Sequence, residues 1–410
     1  MTDQPASRRA FLASLGAVSA AGVFAPTASA AGAGAPSRGL AAPDDFGFAL
    51  GLVYLQTGSL GPTPRRVIDT CVASWTELER NPAAYAYGPH ERALEDVRAK
   101  AAALLGCAIG ELVLTNSTSE GMNWIAQGLT LGAGDRVLTT DQEHPGGRAC
   151  WDYVVRRHGV ALDIVTLPPG EHDAQAIVRR FEAGITPRTR VLSFSHVLSS
   201  TGLRLPVAEL SALARSRGCL AVVDGAQAVG GIAVDVRALG CHAYATSGHK
   251  WMLGPKGTGL LYLSAGIGRA IDPIALEGGR AAYSNSSGVC SLPSVIGLGA
   301  SIDYLTSVGL ARIEAHNLAL REQVRAALRA VPNIEIVSPP AGPLASPLLT
   351  FRLPDAVKAG ALRERLRSAH NIEVKVVPAT WLNGIRISTH LFNTPSDVDA
   401  LAAALRAELR

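Results

Sequence analysis

The sequence predicts an α/β fold: a large domain on a mostly parallel sheet between layers of helices, then a smaller α+β domain. Three observations carry that prediction. From about residue 44 to Ser264, short apolar runs alternate with segments of helical periodicity, the pattern of parallel strands joined by helical crossovers. From about Ile296 the alternation stops, and a long helical stretch leads into short strands and two further helices. At 410 residues, 48% of them apolar, the chain is also long enough for two cores.

Taken in order, runs at 112–115, 136–140, 162–167, 190–196, 220–224 and 243–246 are expected as buried strands. Helices between them are read from spacings such as Leu94, Val97, Ala101 and Leu104 ahead of Gly106. Beyond, one helix is expected over 296–331, strands near 334–337 and 348–351, and a helix over 356–369. Strands at 373–377 and 385–388 and a last helix from Pro395 complete the chain. The expected organisation is a signal at 1–30, a linker at 31–43, a large domain at 44–295 whose N-terminal segment reaches the small domain, and the small domain at 296–410.

The signal is read from Ser7-Arg8-Arg9-Ala10-Phe11-Leu12, a weakly apolar stretch to Phe24, and the small residues Ala28-Ser29-Ala30. This order matches a twin-arginine export signal, with the Tat translocase as partner during export and a periplasmic or secreted location. The stretch falls short of the ~20 residues of a membrane span, so no stable membrane anchor is expected. With 38 Lys+Arg against 34 Asp+Glu and no basic run, nucleic acid is not an expected partner. The six cysteines and ten histidines show no metal-binding spacing, so no metal is expected.

Ligands of such sheets bind at the carboxyl ends of the strands, which makes the residues just after each strand the informative ones. Ser117-Thr118-Ser119-Glu120 has the spacing of a helix cap, and such a helix start with free N–H groups and hydroxyls can hold a phosphate. Asp224 ends an apolar strand, with Gln227 three residues on. Ser247-Gly248-His249-Lys250-Trp251 places one of only five lysines after another strand, and His144 follows a third. A Schiff-base lysine needs a dry pocket, and pyridoxal 5'-phosphate needs a phosphate cradle, an acid at its ring nitrogen and a flat group on its face. Lys250, Asp224 and His144 are thus the expected catalytic residues. Thr118, Ser119, Ser247 and His249 are assigned to the phosphate and Gln227 to the ring's phenolic oxygen.

The ordered set Ser117-Thr118-Ser119-Glu120, Glu143-His144, Ser195-His196, Asp224-Gly225-Ala226-Gln227 and Ser247-Gly248-His249-Lys250 resembles the class V aminotransferase family, which includes cysteine desulfurases and isopenicillin N epimerase. The similarity runs from Tyr54-Leu55-Gln56-Thr57-Gly58-Ser59 to Arg386-Ile387-Ser388-Thr389-His390 and is strongest to the epimerase-like branch. It implies a fold-type I enzyme, a homodimer with its site at the subunit interface, Arg386 on the substrate carboxylate, and Ser59, Tyr87 and His390 on the substrate side. Ser117 and Ser199 complete the expected cofactor-binding set, although Leu198-Ser199 stands where many members have Ser-Asn. Val289 stands where the family has a phosphate-binding threonine, with Ser286 or Ser287 as substitutes. No cysteine follows Cys290, so desulfurase activity is not expected.

Once Lys250 has removed the α-proton, three outcomes are open: transamination or oxidative deamination, epimerisation, and loss of a β-substituent in a C–S lyase reaction. The first is expected, because Lys250 can move the proton on one face. An epimerase needs a second acid, for which Tyr85, Tyr87, His90 and His390 are candidates. Exported members of the branch that mature a peptide siderophore imply a small or peptide-borne amino acid as substrate. The alternative of another class is a catalytically silent periplasmic binding protein, against which stand Lys250, Asp224 and Arg386 together.

Overall fold

The computed structural model describes residues 39–268 and 270–409, so the signal and residues 31–38 of the linker lie outside the described residues. A short strand β1 (Val53–Tyr54) precedes the central sheet. That sheet consists of β2 (Leu112–Thr115), β3 (Arg136–Thr140), β4 (Ala161–Val165), β5 (Thr189–Ser195), β6 (Leu220–Asp224), β7 (Ala243–Ser247) and β8 (Gly259–Leu263). Their spatial order is β2-β8-β7-β6-β5-β3-β4, and only β8 runs against its neighbours. The middle strands β6 and β7 are apolar on both faces and buried, as a sheet covered on both sides requires.

The antiparallel β8 is absent from the expected strands. It follows β7 after a Gly-rich loop, residues 248–258, that is too short and irregular for a helical crossover, so the chain turns straight back. That loop carries Lys250. Two strands sit slightly earlier than expected, which leaves Leu167 and His196 just past the ends of β4 and β5.

The single helix expected over 296–331 is two helices, Leu292–Val308 and Leu310–Leu328, bent by 75°. The break falls at Gly309, whose φ of +95° is open to glycine. Periodicity continues on both sides of it, which is why the sequence reads as unbroken. The first helix buries Leu292, Val295, Leu298, Ile302 and Leu305 in the core of the central sheet, as the second does with Ile313. Only Leu320, Val324 and Leu328 enter the second core. The packing therefore changes core within Leu310–Leu328 rather than at residue 296. Among the described residues no single helix is long and apolar enough to cross a membrane.

The second core lies under an antiparallel sheet of β9 (Glu335–Ile336), β10 (Leu348–Arg352), β12 (Lys375–Val377) and β13 (Gly384–Ser388), in the order β12-β13-β10-β9. The remaining strand, β11 (Ile372–Glu373), pairs with β1 in parallel. Leu55 is buried in this second core, and its carbonyl accepts from the Ser388 amide at 2.9 Å. The N-terminal segment thus reaches across to β13, which holds Arg386.

Candidate active site

Lys250 is held by its backbone from several sides. The Gly248 amide donates to the Thr258 carbonyl at 2.8 Å, and the Gly61 amide donates to the His249 carbonyl at 2.8 Å. Gly61 must be glycine, because a Cβ there would collide with the Lys250 carbonyl. Trp251, fully buried, donates from Nε1 to Gln227 Oε1 at 2.9 Å, and its carbonyl accepts from His390 Nε2 at 2.8 Å. Burial pushes the Lys250 amine down to about 8, with Arg386 and Lys375 adding to the shift and Asp224 opposing it. The neighbouring Lys256 is occupied elsewhere, donating to the Gly61 carbonyl at 2.7 Å and to Thr63 at 3.0 Å.

Asp224 is buried at the carboxyl end of β6, where Oδ1 accepts from the Ala226 amide at 2.9 Å. Gly147 leaves the room that Oδ2 occupies. Burial raises the Asp224 pKa, and the backbone hydrogen bond and the Lys250 charge only partly offset this. Behind it, Glu143 accepts from Thr140 Oγ1 at 2.7 Å, from Ser195 Oγ at 2.5 Å and from the Ser195 amide at 3.2 Å. Burial nevertheless pushes Glu143 up to about 7.

The phosphate-side residues meet at the start of the helix Thr118–Gly128. The Thr118 amide and hydroxyl lie 3.0 and 2.7 Å from Ser247 Oγ, and Ser119 Oγ borders Gly146, where a Cβ would come within 2.6 Å. Ser117 is the helix cap, its Oγ accepting from the Glu120 amide at 3.2 Å while its O–H stays available to donate. His249 Nδ1 is buried without a partner. An unpartnered buried ring nitrogen two residues after Ser247, whose hydroxyl meets the helix start at Thr118, fits a phosphate, and the buried Asp224 carboxylate, which accepts one backbone hydrogen bond, fits a protonated ring nitrogen. The residues present therefore fit pyridoxal 5'-phosphate.

His144 caps the helix Pro145–His158, its Nδ1 accepting from the Gly146 amide at 3.0 Å. This bond leaves the proton on Nε2, and burial together with Lys250, Arg386 and Lys375 pushes its pKa down to about 4. Neutral His144 lines the same cleft as Lys250, a space of about 510 Å³. Arg386 projects into it from β13. Its Nη1 donates to the carbonyl and Oγ of Ser199 at 3.0 and 2.7 Å and its Nη2 to Ser59 Oγ at 3.3 Å, while Nε is unpartnered. A buried guanidinium with no carboxylate is a receptor for one brought by the substrate.

Several expectations change. Ser199 lines the cleft and accepts from Arg386 through its Oγ, which ties the expected cofactor residue to the expected carboxylate receptor. Gln227 lines the cleft, but both ends of its amide are engaged, Nε2 donating to the Gly58 carbonyl at 2.8 Å. One Nε2 proton remains for a phenolic oxygen. Tyr87 is 59% exposed and packs on Tyr283 in a small hollow with Val289, off the Lys250 cleft of its own chain. His390 is not on the substrate side: fully buried, it ties Trp251 to Asn317 and is held near 3 by burial. His90 bonds Ser74 at 3.3 Å and packs against Tyr85, likewise off the cleft. Sequence reasoning missed Lys375 and Trp381, which line the cleft from the segment before β13. The scarcity of lysine was the available signal for the first.

A fold-type I sheet with a lysine, an acid and an anion cradle at its strand ends defines a pyridoxal-phosphate-dependent enzyme. The family model for class V aminotransferases matches residues 53–401, and the chain belongs to that family. It is 32% identical to isopenicillin N epimerase of Streptomyces clavuligerus over 87% of this chain and 94% of that one. It is 30% identical to a probable cysteine desulfurase of Methanothermobacter thermautotrophicus, over 86% and 94%. Among solved structures, a cystine C–S lyase bound to cysteine persulfide shares the fold with a TM-score of 0.79 at 23% identity, over 87% of this chain and 98% of that one. A cysteine desulfurase from Escherichia coli does so with 0.76 at 25%, over 88% and 95%.

Glu143 yields a pH prediction. Its folded pKa lies above the unfolded value, so its contribution to stability is full below about pH 4.3 and is lost as pH rises through about 7. The loss is on the order of 3 kcal/mol. The melting temperature of the wild type relative to Glu143→Gln is therefore expected to fall between pH 5 and pH 8. A constant difference across that range contradicts the assignment.

Proposed function

We propose that this chain is an exported, homodimeric enzyme that transaminates or oxidatively deaminates an amino acid, either free or carried on a peptide or secondary metabolite. The observation that carries the reading is the desolvated Lys250 amine, in the field of Asp224, in a cleft also lined by Arg386, a buried cation with no ion-pair partner among the described residues. When bound, pyridoxal phosphate supplies a carbonyl to capture the substrate amine and a sink for the electrons of the α-carbon. Thr118, Ser119, Ser247 and His249 would hold its phosphate, Asp224 its ring nitrogen and His144 its face. Arg386 binds the substrate carboxylate in a forked contact and fixes which bond at the α-carbon faces Lys250. Lys250, lowered toward neutrality, would take the α-proton and pass it along the same face to the carbon that had carried the cofactor's carbonyl, rather than back to the α-carbon.

The single-face shuttle is supported by the placement of the alternative acids. Tyr85, Tyr87, His90 and His390 all lie off the cleft of their own chain, and His144, which lines it, is assigned to the cofactor's ring face. Epimerisation stands as the second reading, favoured by the similarity to isopenicillin N epimerase. Desulfuration is disfavoured despite the desulfurase relatives: none of the six cysteines, all unpaired thiols, lines the cleft. The reaction is tested by incubation with amino acids in deuterated water. A keto acid, with or without pyridoxamine phosphate, is expected; α-deuterium exchange with racemisation and no keto acid would establish the epimerase instead.

Export rests on Arg8 and Arg9, which the twin-arginine receptor reads. Replacing both with lysine is expected to retain the folded, cofactor-coloured protein in the cytoplasm. Undiminished export of that double variant contradicts the assignment.

A further inference from the structure

Lys375 is exposed at the mouth of the Lys250 cleft. It pairs directly with Arg386 across the antiparallel ladder of β12 and β13, so both side chains stand on one face of the sheet. Like charges opposed in this way destabilise a strand pair. A carboxylate between them would remove the penalty, yet among the described residues neither cation has an ion-pair partner, and Arg363 adds a further positive field at Lys375. Inside the cleft Lys250 contributes a third basic group. Both Lys250 and His144 sense Lys375, which places its charge within reach of the reacting region. The wall beside it, Val377, Pro378, Thr380 and Trp381, is apolar except for the Thr380 hydroxyl.

We propose that Lys375 and Arg386 form a double anion receptor, so that the substrate is an α-amino acid with a second carboxylate at the end of an apolar spacer. Arg386 takes the α-carboxylate and Lys375 the distal one, with the spacer along Pro378 and Trp381. Lys375 is then a specificity residue. This inference deepens the function proposed above and rests on it.

Succinate, glutarate and adipate, each against the monocarboxylate of equal length, are titrated calorimetrically into the purified holoenzyme. At least one diacid is expected to bind about tenfold more tightly than its partner, the equivalent of one charge-assisted hydrogen bond. Lys375→Gln should bring the pair within about twofold and Lys375→Arg should keep the preference, because only charge is required. The proposal is overturned by equal binding of diacid and monoacid to the wild type, by a preference that survives in Lys375→Gln, or by a loss that Lys375→Arg does not restore. The visible absorbance above ~400 nm keeps the two readings separable. Its absence in the wild type sinks the enzyme itself, whereas its presence in all three proteins without a diacid preference sinks only the receptor.

Discussion

An amine and a carboxylate taken out of water together at the ends of two adjacent strands are what the rest of this structure is built to hold. Burial raises Asp224 and lowers Lys250, and each partly offsets the shift of the other. Such a pair is costly when its geometry slackens. The glycines that surround it serve that geometry. Gly61 lets one loop press on the Lys250 carbonyl, and Gly147 makes way for the Asp224 carboxylate. Gly225 has no room for a Cβ against the Tyr244 ring. Tyr244 in turn is bonded to His196 at 2.8 Å, so the strand ends are locked from beneath by a neutral hydrogen-bonded pair. A cofactor that offers a carbonyl to the amine and a cation to the acid relieves both costs.

The substrate side is assembled from three distant parts of the chain. Arg386 comes from β13 in the second core, Ser199 from the loop after β5, and Ser59 from the segment after β1. Gly58 is the close approach that joins them, since a Cβ there would fall 2.9 Å from both Arg386 Nη2 and Gln227 Oε1. Pairing of β1 with β11 and the bond from Ser388 to Leu55 hold this N-terminal segment against the second sheet. Movement of either core therefore alters the distance between the carboxylate receptor and Lys250. Excluding water from that gap is what keeps the amine near neutrality.

How much of this could be read from the residues depended on whether the signal was local. Strands such as β6 and β7 are apolar on both faces and end at a polar residue, so their ends, and with them Asp224 and the Lys250 loop, were legible. The antiparallel β8 was not, because it follows a glycine-rich turn without the helix that marks the other strands. Gly309 breaks a helix whose periodicity resumes at once, and only the positive φ reveals it. His390 sits close to Arg386 in sequence but turns its ring toward the Trp251 carbonyl, and residue type alone cannot report that direction. Lys375 lies on a three-residue strand, where its position opposite Arg386 follows from register rather than from any motif.

The central claim, that Lys250 is the amine this site desolvates for covalent attachment of the cofactor, is tested most directly by borohydride reduction of the purified protein followed by peptide mapping. The account predicts the pyridoxyl group on the peptide that carries Lys250, with Lys256 and Lys375 unmodified. A label on either of those lysines, or no label on a protein that retains its cofactor, would contradict it.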